Sequence, residues 1–425
     1  MKKRLKEQGV IFYSVLKWVA LSVVVGCMVG ASTAVFLKAL NWSSGITGSL
    51  RYYFLFLPFA LFLSALLVKF LAPDAEGHGT EKVIEAVHRH EGVIKAAVVP
   101  VKLVATVITI AFGGSAGKEG PCAQIGAGLA SSFAGFFRFD AHDRKKLVIC
   151  GISAGFASVF GTPIAGALFG VEVLFVGSIL YDVMLPSFIA GVISYNVSSA
   201  LGIRYFHHTL TTPLNFSAVL FYQIILAGVF FGLCSFFLIE MLNIGKKASE
   251  KIKIWGPLKG FLGGAALIVI AVLVSADYLG LGLNTIESAL NGQHLPWYAF
   301  ILKSFTTSMT LNFGGSGGIV TPIFFVGSGA GNIFAQALHL DVALFSALGF
   351  VGLLAGAANT PIAASIMAIE LFGPQVAPYA ALVCVISFLM TGHRSVYPSQ
   401  ILAFKKSKLI DIELGKEIVK SEPKV

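Results

Sequence analysis

The stretch GGSAGKEGPCAQIGAG, residues 113–128, sets a single acid, Glu119, among glycines in the middle of an apolar run. Gly113, Gly114 and Gly117 make a loop that does not hold regular helix. Pro121 stands where proline is tolerated, in the first turn of a new helix running through Gln124 and Ile125. Glu119 is therefore predicted at a helix N-terminus. There the unpaired N–H groups and the positive end of the helix dipole stabilise negative charge, either the carboxylate or a small anion in its place. Competition between the two for one seat makes a gate.

A second stretch repeats the design. Residues 314–334, GGSGGIVTPIFFVGSGAGNIF, match residues 113–133, GGSAGKEGPCAQIGAGLASSF, at an offset of 201. Residues 359–373, NTPIAASIMAIELFG, match residues 161–175, GTPIAGALFGVEVLF, at an offset of 198. Two matched pairs in the same order predict two structural repeats, about 11–201 and about 216–391, within one transmembrane domain. A C-terminal cytoplasmic helix and tail are expected over about 395–425.

Hydrophobic residues make up 56% of the 425 and charged residues only 12%, which moves the chain from the soluble to the membrane class. Apolar runs at 15–40, 52–71, 97–112, 181–201, 219–242, 261–274 and 377–390 are long enough, or nearly so, to cross a hydrocarbon core as helices. Other apolar runs are short and glycine-broken. Their free backbone groups need partners, so they must pack inside the protein or line a cavity. Small residues spaced by four, as at Gly126 and Ala130 or Gly327 and Gly331, allow close helix approach. The net charge of +10 does not imply nucleic acid, because the basic residues cluster at membrane flanks: Lys2, Lys3, Arg4 and Lys6; Lys246, Lys247, Lys251, Lys253 and Lys259; Lys405, Lys406 and Lys408. The positive-inside tendency puts all three clusters, and both termini, in the cytoplasm of a plasma (inner) membrane protein. The two copies then cross in opposite directions, and inverted repeats place a substrate site near the midplane where half-helix ends converge. The first span lacks the pattern of a removable signal, and nothing after Lys408 is long enough for a regulatory domain. The five cysteines lie singly in apolar surroundings as packing residues.

The most polar interior segment is PDAEGHGTEKVIEAVHRHEG, residues 73–92. Gly77, His78 and Gly79 form a turn opening a short helix, with Thr80 predicted as N-cap and Glu81 in the first turn. This makes a third helix start, or simply a solvated capped loop. His88, His90 and Glu91 fit no metal-ligand spacing, and no metal or other cofactor is expected. Glu172, the acid of the first TPIAG helix, is either a proton carrier or a carboxylate satisfied by a buried donor. Its repeat partner Glu370 favours packing. Tyr397 is either an interfacial residue or a phenol donating to an anion.

The order GHGTE at 77–81, GKEGP at 117–121, GIVTP at 318–322 and a lone Tyr397 resembles the CLC family of chloride channels and chloride/proton antiporters, whose signatures are GSGIP, GREGP and GIFAP followed by a tyrosine. The resemblance implies an all-α polytopic fold of two inverted-topology repeats of tilted and broken helices, acting as a homodimer with one pathway per subunit. It implies that Glu119 gates and passes protons, that Ile319 and Val320 hold a chloride ion by their N–H groups, and that Tyr397 holds it by its hydroxyl. Gly117 and Lys118 belong to the loop around the outer anion. The physics agrees. A permeating ion must shed water yet still leave, which favours partial charges over a buried lysine or arginine.

The departures are His78 for the family serine, Lys118 for arginine, and Thr321, which brings a hydroxyl beside the anion; with Gly79, His78 and Thr321 complete the expected anion contacts. Val173 stands where many antiporters carry an inward proton-transfer glutamate, leaving Glu119 and Glu172 as proton-transfer candidates. Passive chloride transport is the main expectation, with fluoride export or proton-coupled antiport the alternative, since a fluoride-exporting branch departs at the same places. A membrane enzyme built on His88, His90 and Glu91 has no plausible nucleophile and leaves the repeated helix starts unexplained. Protonating Glu119 removes the anion's competitor, so flux measured in liposomes should rise as pH falls on the gate's side. The Glu119→Gln variant is expected to lose that dependence, and full retention of it would remove Glu119 from the gate.

Overall fold

Apolar segments can leave water only as structures whose backbone groups are paired within the segment, and here they do so as helices. The computed structural model describes residues 2–210 and 217–421; the expected start of the second repeat at Phe216 and the end of the tail, 422–425, lie outside the described residues. The helix α1 (Lys2–Gly48) runs unbroken for 47 residues, about 70 Å at 1.5 Å per residue. It is followed by α2 (Leu57–Leu71), the short polar α3 (Thr80–Arg89) and α4 (Val98–Ala111). Next come α5 (Glu119–Phe136), α6 (Ala141–Phe160), α7 (Pro163–Glu172) and α8 (Tyr181–Ala200). The chain continues with α9 (Ala218–Lys251), α10 (Gly256–Leu273), α11 (Leu283–Leu290) and α12 (Ala299–Asn312). The last four helices are α13 (Val320–Leu338), α14 (Val342–Ala358), α15 (Pro361–Phe372) and α16 (Ala377–Met390). Five of the described helical segments are long and apolar enough to cross a membrane: α1, Tyr53–Leu71, α8, α9 and α10.

The glycine-broken helices occupy the interior. The α5 helix packs on α6 and α13 packs on α14. At the crossings Gly126 meets Gly151 and Gly327 meets Gly349 so closely that a Cβ on any of the four would strike the opposing carbonyl. Aspartates start the second helix of each pair: Asp140 accepts from Asp143 N at 2.8 Å and Asp341 accepts from Leu344 N at 2.8 Å. A third pair caps itself reciprocally. The Glu172 carboxylate at the end of α7 accepts from Ile362 N (3.0 Å) and Ala363 N (2.8 Å) at the start of α15. The Glu370 carboxylate in α15 accepts from Ile164 N (3.0 Å) and Ala165 N (2.8 Å) at the start of α7. Each acid thus satisfies two orphan donors of the other helix and sits on its positive dipole end.

Two expectations from the sequence are corrected. Gly79, at φ 84°, is the N-cap of α3, and Thr80 is the first helical residue and not the cap. The expected C-terminal helix is replaced over the described residues 395–421 by extended chain and turns. There the strand β2 (Ile401–Leu402) pairs in parallel with β1 (Phe175–Val176), and the chain folds back so that Leu402 N donates to Lys416 O and Ile418 N to Gln400 O. The backbone bonds a helix would need are spent on other elements, and Gln400 is drawn inward to donate from Nε2 to Val173 O (2.7 Å) and Ala358 O (2.9 Å).

The tail is bolted to α3 by charge. Arg89 donates from Nε to Glu417 Oε1 at 2.6 Å and from Nη2 to Oε2, a two-pronged bond that holds the Glu417 carboxyl down at about 2. A depressed carboxyl contributes its docking above the ordinary value near 4.5 and loses it as pH falls through about 2. Amide hydrogen exchange over residues 400–420, corrected for intrinsic rates, should therefore accelerate as pH is lowered through that window. Glu417→Gln should accelerate it already at neutral pH, and an unchanged profile in that variant would remove the bond's docking role.

Candidate anion site

The two repeated glycine loops meet in the protein interior. Gly117 N donates to Gly318 O at 2.7 Å and Gly318 N returns a bond to Gly117 O at 2.6 Å, a two-residue antiparallel bridge. The turns that deliver the chain there begin at Gly113 (φ 100°) and Gly314 (φ 103°), conformations side chains rarely adopt. Each loop is held by a helix from the other sequence half. Ser115 N donates to Thr310 Oγ1 (3.0 Å), and Ser115 Oγ lies 2.9 Å from Thr307 Oγ1 in α12. Ser316 N donates to Thr109 Oγ1 (3.0 Å), and Ser316 Oγ lies 3.1 Å from Thr106 Oγ1 in α4. One turn back on each helix sits a fully buried lysine. Lys102 donates to Ala75 O (3.1 Å) and Gly77 O (2.5 Å), fixing the turn before α3. Lys303 donates to Gly280 O (2.7 Å), and Gly280 N in turn donates to Gly113 O (2.9 Å).

This frame points the starts of α5 and α13 at one place. Glu119, the first residue of α5, is fully buried and reaches across to α13, where its carboxylate accepts from Thr321 N at 3.1 Å and from the Thr321 hydroxyl. Ile319 and Val320 are fully buried beside it, and their N–H groups are among the four that a helix leaves without intrahelical acceptors. A carboxylate is thus seated where a small anion would bind, on a positive helix end in surroundings without bulk water.

On the other side of Glu119 lies the turn before α3. Gly79 packs on the backbone of Gly120 so tightly that a Cβ would come within 2.5 Å of Gly120 O. The ring of His78 lies 5.6 Å from that of Tyr397, centroid to centroid. Tyr397 is fully buried; its Oη and the Nδ1 of His78 are unpartnered buried polar atoms. Two orphaned hydrogen-bonding groups facing one turn are costly unless something polar occupies the space between them.

The structure therefore brings together Glu119, Gly117, Thr321, Ile319, Val320, Gly79, His78 and Tyr397. Lys118 is turned aside and lines a cavity of about 300 Å³ with Lys38 and Arg204. Glu172 is not part of the cluster; both its oxygens are spent on α15. The His88 imidazole, two residues before His90, instead pairs through Nε2 with Leu174 O at 3.0 Å. Sequence reading missed the supporting threonines and lysines, although the signal was present. Lys102 and Lys303, Thr106 and Thr307, Thr109 and Thr310, and Ser115 and Ser316 all stand at the same 201-residue offset as the two glycine loops.

Comparison with known proteins agrees with this architecture. A family profile described as "Voltage gated chloride channel" matches residues 59–392. The chloride/fluoride channel protein of Pseudomonas syringae pv. tomato is 34% identical over 415 residues, covering 95% of this chain and 91% of that protein. The H(+)/Cl(-) exchange transporter ClcA of Klebsiella pneumoniae is 27% identical over 390 residues, 83% of this chain and 80% of that one. Among solved structures, a CLC-type fluoride/proton antiporter superposes with a TM-score of 0.87 at 29% identity, covering 92% of this chain and 99% of that chain. A eukaryotic CLC transporter, at 15% identity and a TM-score of 0.69 over 88% of this chain and 72% of that one, shares the fold. With most of its length matched by the profile and its helices superposing throughout, the protein belongs to the CLC family: an all-α, multi-pass integral membrane protein of anion transport and not an enzyme.

Proposed function

We propose that this protein moves fluoride across the membrane in exchange for protons, with Glu119 as gate and proton carrier. The observation that carries the reading is the Glu119 carboxylate seated on Thr321 at the start of α13. When Glu119 takes a proton it surrenders this seat, and Thr321 N–H and O–H are freed for an anion. The sequence favoured passive chloride transport; fluoride and coupling are preferred now for two reasons. The relatives named above include a chloride/fluoride channel and a fluoride/proton antiporter. Fluoride is also the small, strongly hydrated ion for which O–H donors of high field strength best replace lost water, and Thr321 and Tyr397 supply two. Passive chloride transport is the second reading, supported by Val173, which supplies no acid for proton transfer.

Within the same reading, Ile319, Val320, Gly79 and His78 line the anion's path, Gly117 and Lys118 border its outer end, and Glu172 is a helix cap with no part in proton transfer. The sequence halves form oppositely oriented repeats with both termini cytoplasmic, in the plasma (inner) membrane. The protein acts as a homodimer with one pathway in each subunit. Apolar side chains exposed on α7, α8, α15 and α16, among them Ile164, Leu185, Ile362 and Val385, supply a face for the second copy or for lipid.

Purified protein in liposomes loaded with fluoride or chloride, with proton movement followed by a pH dye, tests the proposal. Fluoride efflux accompanied by proton uptake is expected; chloride efflux with no fluoride flux overturns it. Removing one charge-assisted donor costs about 1.5–3 kcal/mol. Thr321→Val should accordingly lower the fluoride-to-chloride flux ratio by about 10-fold or more. An unchanged ratio would take Thr321 out of anion selection.

A further inference from the structure

The proton-coupled reading calls for a route by which the gate's proton reaches the inner side, and Val173 offers no titratable group for it. The inner end of the site contains three buried side-chain atoms without a hydrogen-bond partner: Tyr397 Oη, His78 Nδ1 and Glu81 Oε2. Glu81 stands three residues after His78, in the first turn of α3. Its other oxygen, Oε1, accepts from Ser399 N at 3.0 Å and Ser399 Oγ at 2.5 Å, two residues beyond Tyr397. Tyr397 is within electrostatic reach of both Glu119 and Glu81. Glu81 and His78 also line a cavity of about 540 Å³ whose wall includes the exposed Arg89, Lys246 and Glu250, so this acid has contact with water that Glu119 lacks.

We infer that Glu81 is the inner proton-transfer residue of the transport cycle, exchanging a proton with Glu119 along His78 and Tyr397. The inference rests on the proton-coupled reading above. In the inward step Glu81 Oε2 is the free acceptor for the proton carried by the gate. Run in the exchange direction, the same path takes the proton that freed Glu119 from Thr321 along Tyr397 and His78 to the Glu81 carboxylate, which releases it to cavity water, so that Glu119 is regenerated as carboxylate and can reseat on Thr321. The Tyr397 hydroxyl and a neutral imidazole can each accept a proton on one side while donating on the other. Burial first, and then the charges of Lys102, Lys246 and Lys82, hold the His78 imidazole in its neutral form. The groups facing Glu81 are Lys82, Glu85 and Arg89 from its own helix, Ser399 from the tail and Tyr397. Burial outweighs the bonds from Ser399 and pushes the Glu81 carboxyl up to about 7, where it changes charge near neutral pH.

The bland alternative is that Glu81 only ties α3 to the tail through Ser399. Two variants separate the roles: Glu81→Gln keeps an oxygen to accept from Ser399 but cannot titrate, whereas Ser399→Ala breaks the tie and keeps the acid. Fluoride and proton fluxes of each are measured in the same liposomes. Glu81→Gln is expected to lower protons moved per fluoride at least 10-fold with fluoride flux within about 2-fold, and Ser399→Ala to leave the ratio within about 2-fold. Glu81→Asp should restore the ratio. A Glu81→Gln protein with wild-type coupling, or one that carries neither ion, overturns the assignment. Wild-type protein that carries fluoride without protons overturns it too while leaving anion transport standing, and wild-type protein without anion flux overturns the proposed function itself.

Discussion

Everything at the site depends on two helix N-termini being held nose to nose. Such ends repel, since each carries about half a positive charge, and a membrane interior offers no counterions to relieve them. The reciprocal bonds between Gly117 and Gly318 fix the approach, and the Glu119 carboxylate resolves the electrostatics by lying on α13. The negative charge is therefore needed by the fold and exchangeable in function. Any single anion placed on those N–H groups satisfies the same demand.

The surrounding structure keeps that approach rigid without bringing formal charge to the anion. Threonine hydroxyls from α4 and α12 hold the two glycine loops, and the buried ammonium groups of Lys102 and Lys303 are spent on backbone carbonyls. Dipoles face the cluster around Glu119, while the lysine amines stand one layer back. That arrangement is what rapid passage requires, because a lysine in direct contact would bind too well to let go.

Most of the fold and half of the site were legible in the sequence. Glu119, the 319–321 segment and the turn at 77–79 could be read because glycine, proline and an acid in an apolar run report backbone geometry and charge directly. Tyr397 and Glu172 each carried two readings, and only the folded chain shows what bears on them: a buried, unpartnered hydroxyl for the tyrosine, two backbone donors for the acid. The tail was misread because its conformation is set by distant contacts, Gln400 with Val173 and Ala358, Ser399 with Glu81, and Glu417 with Arg89, to which local periodicity is blind. Glu81 was visible only as a first-turn acid, since its orphaned oxygen and its nearness to Tyr397 are properties of the folded chain.

The crossed anchoring of the glycine loops has a consequence for how the molecule assembles. The loop bearing Glu119 finds its hydroxyl partners on a helix made some 190 residues later, as the separation of Ser115 from Thr307 records. The first half, once inserted, holds an unfinished gate whose backbone groups stay wet or unmet until its counterpart docks. The paired-loop site therefore cannot close before the second half of the chain has been made.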